Sequence, residues 1–255
     1  MTVELSYFEE FAVIRLNRPE ALNALSFAII RELDVVIEEV ATSDARAALI
    51  IGEGEKSFCA GADIKELMGR SISEQKQGAE LGQRVFHKLS LLPMPTVAII
   101  NGFAFGGGLE LALACTFRLA TENARLALPE IKLGLIPGYG GTQRLPRVVG
   151  ESRALELIMT GRVVKPEEAE RIGLVNRVIK GDPLDSGASF AREFSGFGML
   201  ALGYAREAVQ RALDLPVSEG LKVEADLSTL AYQTEDAAEG MEAFVAKRNP
   251  QFKDY

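Results

Sequence analysis

The stretch NGFAFGGGLELALAC at residues 101–115 decides how this chain is read. Glu110 is the only charged residue between Leu89 and Phe117, and it follows closely on Gly106, Gly107 and Gly108. An ionised carboxylate moved into apolar surroundings without a partner loses several kcal/mol of solvation, so its presence in such a segment points to catalysis. The glycines let the main chain approach a ligand closely where a helix begins and presents free N–H groups. A binding surface and an acid–base group therefore adjoin.

Outward from that stretch, short β-branched runs alternate with helical periods. Residues 3–7, 11–16, 47–51, 96–101, 118–121, 125–128 and 175–179 read as strands. Phe27, Ile30, Leu33, Ile37 and Val40 fall at helical spacing behind Ser26, which predicts a helix over 26–40 with Ser26 as N-cap. A second amphipathic helix is expected over 74–92. After Asp182 the strands stop, and 184–197, 200–213, 217–232 and 236–247 read as helices. The expected class is α/β: a sheet-containing body over 1–182 and a helical region over 183–255. Two glycine-rich loops, 52–61 and 134–141 (GLIPGYGG), are candidates to carry binding groups on a rigid frame.

With 255 residues, 47% hydrophobic and 25% charged, the chain has ample material for a core. A net charge of −8 and a pI near 5.0 argue against general affinity for nucleic acid or an anionic membrane, and favour a small-molecule enzyme. Cys59 and Cys115 are the only cysteines, without a CxxC pair, which fits a reducing, cytoplasmic compartment. The N-terminal alternation reads as strand rather than secretion signal. The apolar run 89–115 is broken by Pro93, Pro95 and the glycine cluster, unlike a bilayer-spanning helix. His87 is the only histidine, no GxSxG elbow is present, and one His with two separated Cys cannot furnish a transition-metal site. GEGEKS at 52–57 matches neither GxxxxGK[ST] nor GxGxxG. No metal or redox cofactor is expected.

Three segments taken together are far more specific: KSFCAGADIKEL at 56–67, NGFAFGGGLELALAC at 101–115 and LPEIKLGLIPGYGGTQRL at 128–145. With LNRPEALNALS at 16–26 and GMEAFVAKRNPQF at 240–252, the chain resembles the crotonase (enoyl-CoA hydratase/isomerase) superfamily over essentially its whole length. The resemblance implies a spiral of ββα turns and a C-terminal helical region used in trimer assembly, as a homotrimer or a dimer of trimers. It implies an acyl-CoA thioester as substrate, with coenzyme A entering as part of that substrate and no separate cofactor.

By the same resemblance, the main-chain N–H groups of Ala62 and Gly107 grip the thioester oxygen. Preorganised amides in a dry site contribute roughly 3 kcal/mol each to stabilising the enolate charge that develops there. Glu110 and Glu130 match the glutamate pair of the hydratases, with Glu110 as base and Glu130 as acid, and Gly138 matches a glycine whose main chain helps hold the catalytic water. Ala60, Asp63, Ile64 and Leu67 match the segment that cradles adenine and pantetheine. Asp63 is also a natural helix N-cap. Ala21 and Leu22 match further CoA-contacting positions, and Phe244 and Lys247 match a tail that in relatives reaches a neighbouring subunit's ligand. Arg18, Lys56 and Lys65 are phosphate partners by charge alone.

Two positions depart from the family pattern. Leu128 stands where hydratases often place an amide or a small residue, and Tyr139 puts a ring into PGxGG, where it would narrow the acyl tunnel or hydrogen-bond a polar acyl group. The expected reaction is hydration of a trans-2-enoyl-CoA to a 3-hydroxyacyl-CoA. Its rivals are a 3-enoyl to 2-enoyl isomerase, which needs one carboxylate, and a non-catalytic acyl-CoA- or RNA-binding member. The retained glutamate pair and the negative charge favour the hydratase.

Overall fold

Strand and helix alternate through the first two-thirds of the chain, in a computed structural model that describes residues 2–254. In order, β1 (Val3–Phe8), β2 (Phe11–Leu16), α1 (Phe27–Ala41), β3 (Ala47–Gly52) and β4 (Ser57–Cys59) lead to α2 (Ile64–Leu67) and α3 (Ile72–Leu91). There follow β5 (Thr96–Ile100), β6 (Phe103–Phe105), α4 (Gly107–Ala114), β7 (Phe117–Thr121) and β8 (Arg125–Ala127). A 3-10 turn over Glu130–Leu133 precedes α5 (Gly141–Val149), α6 (Glu151–Thr160), α7 (Pro166–Arg171) and β9 (Arg177–Ile179). The chain ends with α8 (Pro183–Ser195), α9 (Met199–Arg211), α10 (Val217–Ala231) and α11 (Glu235–Ala246).

The strands form two sheets, one ordered β1-β2-β3-β5-β7-β9 and the other β4-β6-β8. Among the described strands the β1–β2 hairpin pairs antiparallel and the other strand pairs are parallel; Leu126 of β8 also makes an isolated antiparallel bridge to Val164. Parallel strands need crossover connections, and those connections cover both faces. Accordingly β3 and β5 are buried along their whole length, and their sequences AALIIG and TVAII carry no polar alternation apart from Thr96.

Local chemistry explains the helix starts. The Ser26 hydroxyl accepts from the Ile29 N–H at 3.2 Å, and α1 turns Ile29, Ile30, Leu33, Val36, Ile37 and Val40 to the core. The second long helix begins at Ile72, earlier than the periodicity over 74–92 indicates, because Ser71 and Glu74 form a reciprocal capping box.

In the second sheet β8 falls in the expected strand over 125–128, while periodicity misses β4 and β6. Each is three residues long, too short for alternation to register, and β4 lies in the glycine-rich stretch 52–61 read as loop. Glycine makes their close stacking possible: a Cβ on Gly108 would collide with the Cys59 carbonyl, and one on Gly102 with the Lys56 main chain. Buried amides then pin the intervening loop. Asn101 Nδ2 donates to the Gly52 and Gly54 carbonyls at 2.7 and 2.6 Å, and Asn23 Nδ2 donates to Glu53 and Ser57 at 3.0 and 2.8 Å.

The chain divides into a unit over Met1–Ser189, which holds both sheets, and an all-helical unit over Phe190–Tyr255. Within the helical unit, Leu200, Val209, Leu213, Val217, Leu221, Leu230, Phe244 and Val245 are exposed. Its own apolar cavity, of about 800 Å³, is lined by residues including Phe197, Tyr232, Phe244 and Phe252.

Candidate active site

The site grows from α4. All eight of its residues are buried, and its N-cap Gly106 has φ 49° with ψ −124°, a conformation open to glycine. Gly107 is the first helical residue, so its N–H has no acceptor within the helix and is available to a ligand. Glu110 lies one turn further in and is 2% exposed. Its Oε1 accepts two main-chain N–H groups, from Tyr139 at 2.8 Å and Gly141 at 2.7 Å. Those donors arrive from the GLIPGYGG loop, so α4 and the start of α5 are joined through one carboxylate oxygen. A Cβ on Gly141 would lie 3.0 Å from that oxygen, which is why the clamp is built on glycine.

Glu130 opens the 3-10 turn behind Pro129. Its carboxylate leans over the entrance to α4, close enough that a Cβ on Gly106 would lie 2.9 Å from Oε1. Its other oxygen, Oε2, is buried and has no hydrogen-bond partner among the described residues. An orphaned carboxylate oxygen in a cavity wall is either protonated or available to a ligand or water.

Burial dominates the electrostatics. It pushes the Glu110 carboxyl up to about 7 from the ordinary 4.5, opposed by the Gly141 and Tyr139 N–H donors and reinforced by the neighbouring Glu130 charge. Burial also raises Glu130. Two carboxyls with raised proton affinity in one cleft make this a candidate functional site on physical grounds.

A cavity of about 360 Å³ lies between these groups and α3. Ala60, Ala62, Ile64, Leu67, Gly107, Glu110, Glu130 and Gly138, all singled out from the sequence, line it together. The Leu25 N–H donates to the Gly61 carbonyl at 2.7 Å, and a Cβ on Gly61 would lie 3.9 Å from the Gly107 nitrogen, so the CAGAD loop lies against the start of α4. Ala62 and the first turn of α4 thus face one volume.

The remaining expected residues sit elsewhere. Asp63 caps α2 by accepting from the Lys65 N–H at 3.2 Å, and Asp63 Oδ2 meets Arg18 Nη1 at 3.2 Å. Ala21 ends a 3-10 turn and Leu22 follows in left-handed backbone, its carbonyl accepting from the Ala60 N–H at 3.0 Å; this backs the site without lining the cavity. Phe244 is 84% exposed on the helical unit, where Lys247 closes α11 with φ 53°. Lys56 and Lys65 are exposed. Leu128 is buried in the core, whereas the Tyr139 ring is part of the cavity wall. His87 is exposed beside Ser90. No group of three metal-ligating side chains occurs among the described residues.

Some contacts around the cavity were not legible in the sequence. Nothing local announces that the Tyr139 and Gly141 amides clamp a side chain 29 and 31 positions away, or that Gln83 Nε2 donates to the Gly138 carbonyl at 2.9 Å.

A family model described as enoyl-CoA hydratase/isomerase matches residues 8–255. A probable enoyl-CoA hydratase of Rhizobium meliloti is 44% identical over 242 residues, 94% of this chain and 93% of that protein. A crotonyl-CoA hydratase of Syntrophomonas wolfei is 41% identical over 246 residues, covering 96% and 95%. The crystal structure of an enoyl-CoA hydratase from Bacillus anthracis superposes with a TM-score of 0.95 at 37% identity, covering 100% of both chains.

Proposed function

We propose, on the premise that this chain belongs to the enoyl-CoA hydratase/isomerase family, that it adds water across the double bond of a trans-2-enoyl-CoA to give a 3-hydroxyacyl-CoA. The observation that carries the reading is the pair of glutamates lining one cavity, Glu110 buried and Glu130 half-buried, each with an oxygen left over. Glu110 commits Oε1 to two amides, while its Oε2 has no donor among the described residues; Glu130 keeps Oε2 without a partner.

In this reading the thioester oxygen rests on the N–H groups of Ala62 and Gly107. A water held near the Gly138 main chain and Glu110 Oε2 attacks Cβ as Glu110 takes its proton, and Glu130 delivers a proton to Cα. Negative charge moves onto the thioester oxygen, where the two amides and the N-terminal end of α4 stabilise it. A Glu110 carboxyl near 7 suits a base working close to neutrality, because its conjugate acid holds a proton firmly while a large fraction remains ionised.

The substrate is an acyl-CoA, with no separate cofactor, and the glutamate pair makes the enzyme a carbon–oxygen lyase. The exposed apolar side chains of the helical unit support assembly as a homotrimer or dimer of trimers. Two buried free thiols fit a reducing cytoplasmic setting.

The test is loss of the conjugated enoyl-thioester absorbance of crotonyl-CoA. Glu110→Gln and Glu130→Gln are each expected to slow it by about 10²–10⁴-fold. Unchanged turnover in either variant removes that residue's role. Conversion of a 3-enoyl-CoA that survives one of the two substitutions indicates isomerisation instead.

A further inference from the structure

The geometry points to Tyr139 as the residue that sets how long an acyl chain this site accepts: its ring is a partition that closes the cavity and restricts the enzyme to short acyl groups. This inference rests on the acyl-CoA reading of the same cavity.

The ring is held from three sides. Its edge meets Phe86 of α3 with centroids 5.6 Å apart at 80°. A Cβ on Gly107 would lie 3.2 Å from the ring, and a Cβ on Gly82 would collide with it outright. Gly82 is thus a notch in α3 shaped to receive this side chain. Gly78, one turn earlier, receives Phe27 in the same way, 2.6 Å from a virtual Cβ. Two rings seated in two glycine notches wall the cavity along α3.

Beyond Tyr139 lies a second cavity, of about 650 Å³, lined by Glu80, Gln83, Arg84 and His87 of α3 and by Thr142, Gln143 and Arg144 of α5. Gly138 and Tyr139 line both cavities, so they are the wall between the two. On one side are the glutamates and apolar groups; on the other are mostly charged and amide side chains. An acyl chain that reaches the ring must stop there or displace a side chain only 7% exposed into polar surroundings. The same residue donates its N–H to Glu110, so a displaced ring also disturbs the amide that orients the carboxylate. A chain that is too long is therefore opposed both in binding and in chemistry.

The phenol is not an acid in this role. Burial first, then the Glu110 charge, push it up to about 12, so it stays neutral and the ring acts as a steric stop.

The experiment compares saturated and 2-enoyl thioesters of four, six, eight and ten carbons, by calorimetric affinity and by hydration rate, in wild type, Tyr139→Ala, Tyr139→Phe and Gly82→Ala. Wild type is expected to gain affinity up to the ring and none beyond it. Tyr139→Ala joins the cavities, and each further methylene it buries improves affinity by roughly fourfold. Tyr139→Phe retains the wild-type length limit. Gly82→Ala, which pushes the ring out of its notch, shortens or abolishes that limit. Matching length profiles in wild type and Tyr139→Ala overturn the partition while leaving the acyl-CoA reading intact. Absence of binding by every thioester overturns both. Loss of the limit in Tyr139→Phe also overturns the partition, since it assigns the effect to the hydroxyl.

Discussion

Two buried carboxylates, one in each unit, use the same kind of donor to opposite ends. Asp236, 6% exposed in the first turn of α11, accepts one N–H on each oxygen, from Lys253 at 2.6 Å and Asp254 at 2.9 Å. Both oxygens are engaged, and the result is a tail fastened to a helix start, where an acidic group also suits the helix dipole. Glu110 places two N–H donors on one oxygen and leaves the other to the cavity. Its carboxyl is driven up to about 7 in consequence of burial that its donors only partly offset. A fully satisfied carboxylate stabilises; one held by a single oxygen stays reactive at a cost to the fold.

The contrast breaks most readily in turnover. Asp236→Asn is expected to hydrate crotonyl-CoA within about twofold of wild type, against the 10²–10⁴-fold loss expected for Glu110→Gln; equal losses in steady-state assays would erase the distinction. Next in size is the pH profile. Glu110 acts ionised, so kcat/KM should fall toward tenfold per pH unit as pH drops below about 7. Because burial raises Glu130 as well and the two acids share a site, that limb belongs to the pair. A rate flat from roughly pH 5 to pH 8 is the outcome that removes Glu110 as base.

Stability sharpens the comparison further. A carboxyl raised from 4.5 to about 7 on folding favours its protonated form in the native state, so its contribution is intact below about 4.5 and is lost as pH rises through 7. Glu110→Gln keeps an oxygen for the Tyr139 and Gly141 amides without the charge. It should therefore gain on wild type as pH rises from roughly 4.5 to 8, by on the order of 3 kcal/mol at most, as read by urea unfolding across that range. A gap that does not change with pH would show the carboxyl is not strained. The smallest effect is Asp236→Ala, expected to cost about 1–3 kcal/mol by stranding two tail amides. Urea midpoints and hydrogen exchange at residues 253 and 254 would report it, and unaltered exchange there would deny Asp236 its fastening role.

Much of the architecture was readable from local chemistry. Ser26 caps α1 and Asp63 caps α2 as their residue types indicate, and the change from strands to helices after Asp182 follows from a change in apolar period. The seven expected strands occur, with ends shifted by up to two residues. What periodicity did not reveal are β4 and β6, three residues each, whose pairing depends on glycines that let backbones stack.

In the site, the lone charge of Glu110 within an apolar run was a local signal, because burying an unpaired carboxylate is so unfavourable that its position demands a reason. Glu130 carried almost none by itself, since glutamate after proline is ordinary at a helix start. Its importance comes from Gly106, whose missing side chain admits the carboxylate to the mouth of α4.

The amino-acid order alone therefore determined which residues are polar where polarity is expensive, and where helices begin. The tertiary structure decided which oxygen of Glu110 is occupied, which atom of Glu130 is left without a partner, and where the Tyr139 ring stops the cavity. The reason is range. Caps and periods act over one or two turns of chain, whereas a main-chain N–H offered by residue 139 or 141 to a carboxylate at 110 exists only once the sheets have brought distant segments together.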